Sequence, residues 1–228
     1  MYTGNVMSRE KKDGFTLLEL LIVIAIIAIL SVALILVINP AETLKKSRDA
    51  QRISDLSTLK TALGLYITST STPYLGDVAN NTACKASPTA AYIAGDKIFY
   101  SLGSGTLITD TTLDGSIVVV SGQSATPTLT DGTGWIPVSF DSLTSGSPIS
   151  NVPQDPTNTI AALGTVASTD LVYRYACAAN PLNFEINAQL ESTEYTSTDN
   201  RRTKDGGNNN DYYEVGTNLR ILGAGVDF

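Results

Sequence analysis

The side chains that could do chemistry are few. None of the 228 residues is histidine, so no imidazole is at hand as a general base, and Ser-His-Asp and Cys-His arrangements are excluded. With only two cysteines, Cys84 and Cys177, a zinc site of the usual composition cannot be built. The carboxylates are scattered, and neither a glycine-rich phosphate loop nor a nucleophile elbow occurs. These residue types point away from an enzyme. Fifteen Lys and Arg against 22 Asp and Glu give a net charge of −7. That sign repels phosphates and excludes a chain that coats nucleic acid through a general basic surface. One acid stands in an unusual place: Glu19, alone inside a long apolar run.

The run extends from Phe15 to Ile38, FTLLELLIVIAIIAILSVALILVI, with Glu19 its single charge. As a helix it would be about 36 Å long, enough to cross a hydrocarbon core of roughly 30 Å. A soluble helix rarely stays apolar all round for six turns. Arg9, Lys11 and Lys12 precede the run as in a secretory signal, but the run is too long for one and no clear cleavage site follows. It reads as a retained membrane anchor. Lys45, Lys46, Arg48 and Arg52 follow it closely, so counting basic residues on the two flanks does not orient it.

Gly14-Phe15-Thr16-Leu17-Leu18-Glu19-Leu20-Leu21, behind a short basic leader, resembles the class III signal of type IV pilins and type II secretion pseudopilins. The resemblance implies that a membrane aspartyl peptidase cuts between Gly14 and Phe15 and that the new N-terminus is methylated. It also implies an inner-membrane precursor with a cytoplasmic leader, and a mature form in an extracellular filament or a periplasmic pseudopilus. The partners it implies are other copies of the chain, the prepilin peptidase and methylase, membrane lipid before assembly, and an assembly platform protein with its ATPase. Glycine at the cut offers no side chain to obstruct a peptidase. An ionised Glu19 in hydrocarbon calls for a partner; the resemblance supplies the Phe15 α-amine of a neighbouring subunit, which would set the axial register. Snorkelling of Glu19 to the interface is the plainer alternative.

Asn39-Pro40 interrupts the helix, since proline lacks a donor and crowds the preceding turn. Helical spacing then resumes, with Leu44, Ile53, Leu56, Leu59, Leu63 and Tyr66 on one stripe and Lys45, Arg48, Asp49, Arg52, Asp55 and Lys60 mostly off it. Ala50, Asp55, Leu56, Leu59, Ala62, Leu63 and Tyr66 are similar to the corresponding helix of the major pseudopilin, as is the position of Pro40. The Asn151–Pro156 stretch resembles the turn that precedes the sheet in that family.

Beyond a loop at 69–81, strands are expected at Lys97–Leu102, Thr106–Asp110, Ser116–Ser121, Trp135–Phe140, Leu171–Cys177, Asn183–Leu190, Tyr212–Val215 and Leu219–Leu222. The clearest, Asn183–Leu190, alternates Phe184, Ile186, Ala188 and Leu190 with Asn183, Glu185, Asn187 and Gln189, one face packed and one wet. With Leu171–Cys177 and the Ala178–Pro181 turn it forms an expected antiparallel hairpin. The expected fold is α+β and pilin-like: a long N-terminal α-helix, transmembrane in its first half, packed on an antiparallel β-sheet domain. The expected divisions are a cleaved leader (1–14), a transmembrane and filament-core segment (15–38), an amphipathic continuation (39–68) and an exported β-rich domain (69–228).

In an exported domain Cys84 and Cys177 read as a disulfide, with two buried thiols as the alternative. The polar loop Thr196–Asp211 carries oxygen ligands at Asp199, Asn200, Asp205, Asn208 and Asp211. The resemblance to major pseudopilins admits calcium there, the one cofactor in view. The spacing is not an EF-hand pattern, however, and Arg201, Arg202 and Lys204 oppose a cation, so an ordinary loop stands beside that reading. The expected function is a structural subunit of a type IV pilus or type II secretion pseudopilus. A tip, adhesion or DNA-uptake pilin and a non-polymerising anchored domain are the alternatives.

Overall fold

A computed structural model describes residues 14–103, 109–110, 119–161, 166–167 and 169–223. The expected leader up to residue 13, and the expected strand positions 106–108 and 116–118, lie outside the described residues. The chain divides into two compact units, Met1–Thr43 and Leu44–Phe228, each taken by itself.

In the first unit α1, Leu17–Ile38, begins at a capping box: the Thr16 side chain accepts from the Glu19 N–H while the Glu19 carboxylate accepts from the Thr16 N–H. It ends at Asn39, whose φ of 43° lies in the left-handed region that asparagine tolerates. A second helix, α2, Pro40–Ser69, starts directly afterwards. Pro40 takes the first helical position, where a missing N–H costs nothing, and Asn39 Oδ1 accepts from the Glu42 N–H at 3.4 Å. The expected interruption at Asn39-Pro40 is therefore a change of helix in which one asparagine ends α1 and opens α2.

In the second unit six strands form one sheet in the order β2-β3-β1-β4-β5-β6. They are β1 Lys97–Gly103, β2 Thr109–Asp110, β3 Val119–Ser124, β4 Tyr173–Ala179, β5 Leu182–Ala188 and β6 Tyr213–Gly216. The run β1-β4-β5-β6 is antiparallel throughout, and β4–β5 is the expected hairpin, turning at Asn180-Pro181. β3 enters between β1 and the edge strand β2 and runs parallel to β1, so one pairing departs from the expected antiparallel order. The molecule is α+β and pilin-like.

Two expected strands are not strands. The backbone of Trp135–Phe140 bonds to loop carbonyls, Trp135 N–H to Pro127 and Phe140 N–H to Thr130. The Ile221 and Leu222 N–H groups bond to the Glu185 carboxylate instead of to a neighbouring strand.

Period-two alternation gives the sheet two distinct faces. On one, Tyr173, Tyr175, Cys177, Phe184, Ile186 and Ala188 join Leu56, Leu59, Leu63 and Tyr66 of α2 in the main core, with Trp135 and Phe140. On the other, Ala176 and Ala178 lie in a second cluster with Ile98, Tyr100, Ile221 and Leu222. The polar positions of β5 are therefore not wet. Glu185 and Asn187 are fully buried, because Ile221 and Leu222 lie over that face.

Candidate assembly site and its supporting clusters

α1 places Glu19 in its first turn, the only acid of that turn. Its Oε2 accepts from the Thr16 N–H at 2.9 Å and from the Thr16 hydroxyl at 2.7 Å, while the same hydroxyl accepts from the Glu19 N–H at 3.2 Å. The carboxylate is thus held by its own helix start, and among the described residues its second oxygen takes no further donor. Phe15 is 82% exposed, and a side chain at Gly14 would meet nothing within 4 Å. The scissile position expected from the sequence is open on both sides.

From Leu17 to Ile35 none of the helix is buried, and among the described residues this is the one helix long and apolar enough to cross a membrane. Leu and Ile side chains point outward all round it. A surface of that size in water would drive association, so the helix requires lipid or other helices as its surroundings. Ser31, its one hydroxyl after the first turn, donates back to the Ile27 carbonyl at 2.7 Å and so presents no unmet donor to hydrocarbon.

Residues 9–35 match the prokaryotic N-terminal methylation motif. The chain carries a type IV pilin-like signal. The motif supports processing by a prepilin peptidase and pilin-type assembly, and with α1 it fits a membrane-anchored precursor. Pilin-like subunits of this kind are generally structural, not enzymatic. The match stops at the first helix and does not extend to the β-rich domain. No curated protein matches the chain, and no solved structure does.

Cys84 and Cys177 are joined in a disulfide across 93 residues. The bridge fixes the loop after α2 to β4, where Lys85 continues the contact: its N–H donates to the Cys177 carbonyl and its own carbonyl accepts from Ala179.

In the 199–211 loop the expected oxygen ligands point to different partners. The Asp199 carboxylate takes Arg201 at 2.7 Å and Lys204 at 2.6 Å. Asn200 Oδ1 accepts from the Arg202 N–H, and Asp205 accepts from the N–H groups of Gly207 and Glu214. The Arg202 guanidinium spans the Asp211 and Thr196 carbonyls. Among the described residues no three acidic, Cys or His side chains gather as a cage for a metal ion. The basic residues that oppose calcium in the sequence are here the groups that order the loop.

Sequence patterning missed a heavily bonded buried pair in the domain. Arg52, placed off the buried stripe by its spacing, is fully buried with Asp49. All five of its N–H bonds are used. Nε and Nη2 clamp Asp155 at 2.6 and 2.9 Å, Nη1 reaches Asp49 at 2.8 Å and Glu191 at 2.6 Å, and Nη2 also meets Thr157 at 3.2 Å. Asp49 accepts in turn from the Glu191 N–H and from the Ser192 N–H and hydroxyl. Burial alone would lower the Arg52 pKa; the Asp155 carboxylate, followed by Glu191 and Asp49, outweighs it and raises the value. The Arg48 guanidinium above all, and then Arg52, hold Glu191 down at about 2 against its burial. The readable signal was the Asp49/Arg52 pair at i, i+3. Thr16 was likewise overlooked, although a threonine three residues before Glu19 is the pattern of a capping box.

On the other sheet face a second polar row crosses the strands. Arg174 pairs in register with Asn187, and Asn187 with Glu214. The Arg174 Nη2 donates to the Ala167 carbonyl at 3.0 Å, and its guanidinium lies 4.6 Å over the Tyr212 ring. Among the described residues, Nε and Nη1 of Arg174, both amide atoms of Asn187, and one oxygen each of Glu185 and Glu214 find no hydrogen-bond partner of opposite kind. Burial, followed by the hydrogen bond and charge of Glu214, pushes Glu185 well above the usual carboxylate range.

Proposed function

We propose that the chain is the repeating structural subunit of a filament of the type IV pilus or type II secretion pseudopilus kind, with the pseudopilus favoured by the α2 resemblance. A prepilin peptidase cuts between Gly14 and Phe15 and methylates the new amine. A platform protein with its ATPase then draws the trimmed chain out of the inner membrane, since no nucleotide-binding motif occurs in the chain itself. The observation that carries this reading is the wholly exposed apolar α1 with one carboxylate in its first turn.

Glu19 retains an acceptor beyond Thr16, and in the filament that acceptor takes the Phe15 amine of the preceding subunit. This ion pair, surrounded by aliphatic side chains, is far less screened than one in water. It sets register, while van der Waals contact among the α1 helices provides cohesion.

Mass spectrometry of the N-terminus and filament yield decide the matter together. Glu19→Ala is expected to leave the methylated Phe15 terminus intact and to abolish filaments. Filaments at parental yield from that variant would remove the register role. An intact Met1 in the native protein would replace the filament reading with that of a simple anchored domain.

A further inference from the structure

We infer that the surface formed by Lys46, Arg48, Tyr195, Arg201 and Lys204 is a seat for the anionic headgroups of the membrane that holds the precursor. The inference rests on the reading above that residues 15–38 span that membrane.

These residues come together from two places in the chain. Lys46 lies 3.8 Å from Glu194, and its ammonium lies 5.7 Å from the centre of the Tyr195 ring. Arg201 covers the same ring at 5.6 Å. Asp199 is shared between Arg201 and Lys204, and Arg48 takes Glu191 at 2.7 Å. Four cations thus meet three carboxylates, one of which, Glu191, is also spent on the buried Arg52.

The sign that faces outward is positive in every pair. Side-chain exposure is 48% for Lys46 against 37% for Glu194 and 35% for Arg48 against 13% for Glu191. It is 49% and 61% for Arg201 and Lys204 against 32% for their shared Asp199. Elsewhere the chain is acidic, with a net charge of −7 overall. In this patch the cations stand further out than the carboxylates, an arrangement that suits an anionic surface.

Chain geometry then selects the anionic surface. Lys46 is the seventh residue of α2, about 9 Å along the helix from Pro40, and α1 ends only two residues before Pro40. Lys46 lies only eight positions beyond the end of α1, so a span fixed in a bilayer tethers the patch to the headgroup region by connectivity alone. Cations so placed are drawn to acidic lipids, and a tyrosine between two of them suits the headgroup layer, where amphipathic rings collect.

The test uses the full chain in nanodiscs of phosphatidylcholine alone or mixed one to one with phosphatidylglycerol. Amide hydrogen exchange is followed over residues 193–204, together with tryptic cleavage after Arg201 and Lys204. Both are expected to slow severalfold in the phosphatidylglycerol discs, and the difference is expected to vanish near 1 M salt, where the screening length is about 3 Å. The combined variant Lys46→Glu, Arg201→Glu and Lys204→Glu, which lacks those two tryptic sites, is expected to erase the difference in hydrogen exchange while α1 remains protected from proteinase K. If that variant does not fold, the salt series on the parent chain answers the same question. Equal rates in the two discs would overturn the inference and leave the anchor intact. Protection by an oligonucleotide but not by phosphatidylglycerol would overturn it in favour of a nucleic-acid surface. Digestion of α1 by proteinase K in the discs would overturn the anchor reading, and this inference with it.

Discussion

The domain buries two arginines, and they are treated in opposite ways. Arg52, on the α2 side, meets an acceptor with every N–H and lies among three carboxylates. Among the described residues, Arg174, across the sheet, has one backbone carbonyl and the face of a tyrosine. The first arrangement ties α2 to Asp155 and Glu191, residues 103 and 139 positions away, and so closes three distant segments through one side chain. The second ties β4 to the carbonyl of Ala167, seven residues earlier in the chain, and to Tyr212 just before β6. Buried charge acts as a clasp where it draws remote carboxylates together, and adds little where it reaches one nearby carbonyl.

Replacement of each arginine by a flexible apolar residue breaks or sharpens this contrast. Arg52→Met strands Asp49 and Asp155 without their counter-charge, and removal of one partner of a buried pair costs about 3–5 kcal/mol. A denaturant midpoint close to the parent's would refute the clasp.

Acid attacks the same cluster. The folded Glu191 value of about 2 lies below the ordinary glutamate value of roughly 4.3. The stability it contributes, on the order of 3 kcal/mol, is present above pH ~4.5 and drains as pH falls toward 2. Thermal melts in this range are expected to lose their acid limb in Arg48→Met.

The opposite face titrates in the opposite sense. Glu185 is raised in the folded state, so its contribution is complete below its ordinary range and is lost as pH climbs through the raised value. Glu185→Gln keeps an acceptor for Ile221 and Leu222 and adds a donor toward Glu214. It is expected to flatten the alkaline decline by about 1–2 kcal/mol, the value of a hydrogen bond to a charged group. An unchanged pH profile would show that the carboxyl does not hold its proton.

The smallest effect is expected at Arg174. Arg174→Met should stay within about 1 kcal/mol of the parent, because well-packed apolar groups often replace a poorly paired buried ion at little cost. A loss as large as that of Arg52→Met would erase the distinction between the two faces.

The parts legible in the sequence are those governed by local rules. The apolar length of α1, the stripe of Leu56, Leu59, Leu63 and Tyr66, and the β4–β5 hairpin follow from spacing and turn chemistry alone. Glu19 stood out because it was the single charge in its run. Arg52, Asp49, Glu185 and Asn187 could not be placed the same way. Periodicity sorts residues by polarity and sends polar ones to solvent, whereas their burial depends on partners such as Asp155, Glu191 and Ile221 brought by the remote chain. Ile221 and Leu222 were misread as a strand for the related reason that two apolar residues do not disclose what their N–H groups will bond.

Among the described residues, the groups that close the start of α1 lie downstream of the Gly14–Phe15 bond: the Thr16 amide, its hydroxyl and the Glu19 carboxylate. Scission of that bond would therefore liberate an amine while the first turn keeps its own fastening. The rod need not be rewound before it is handed on.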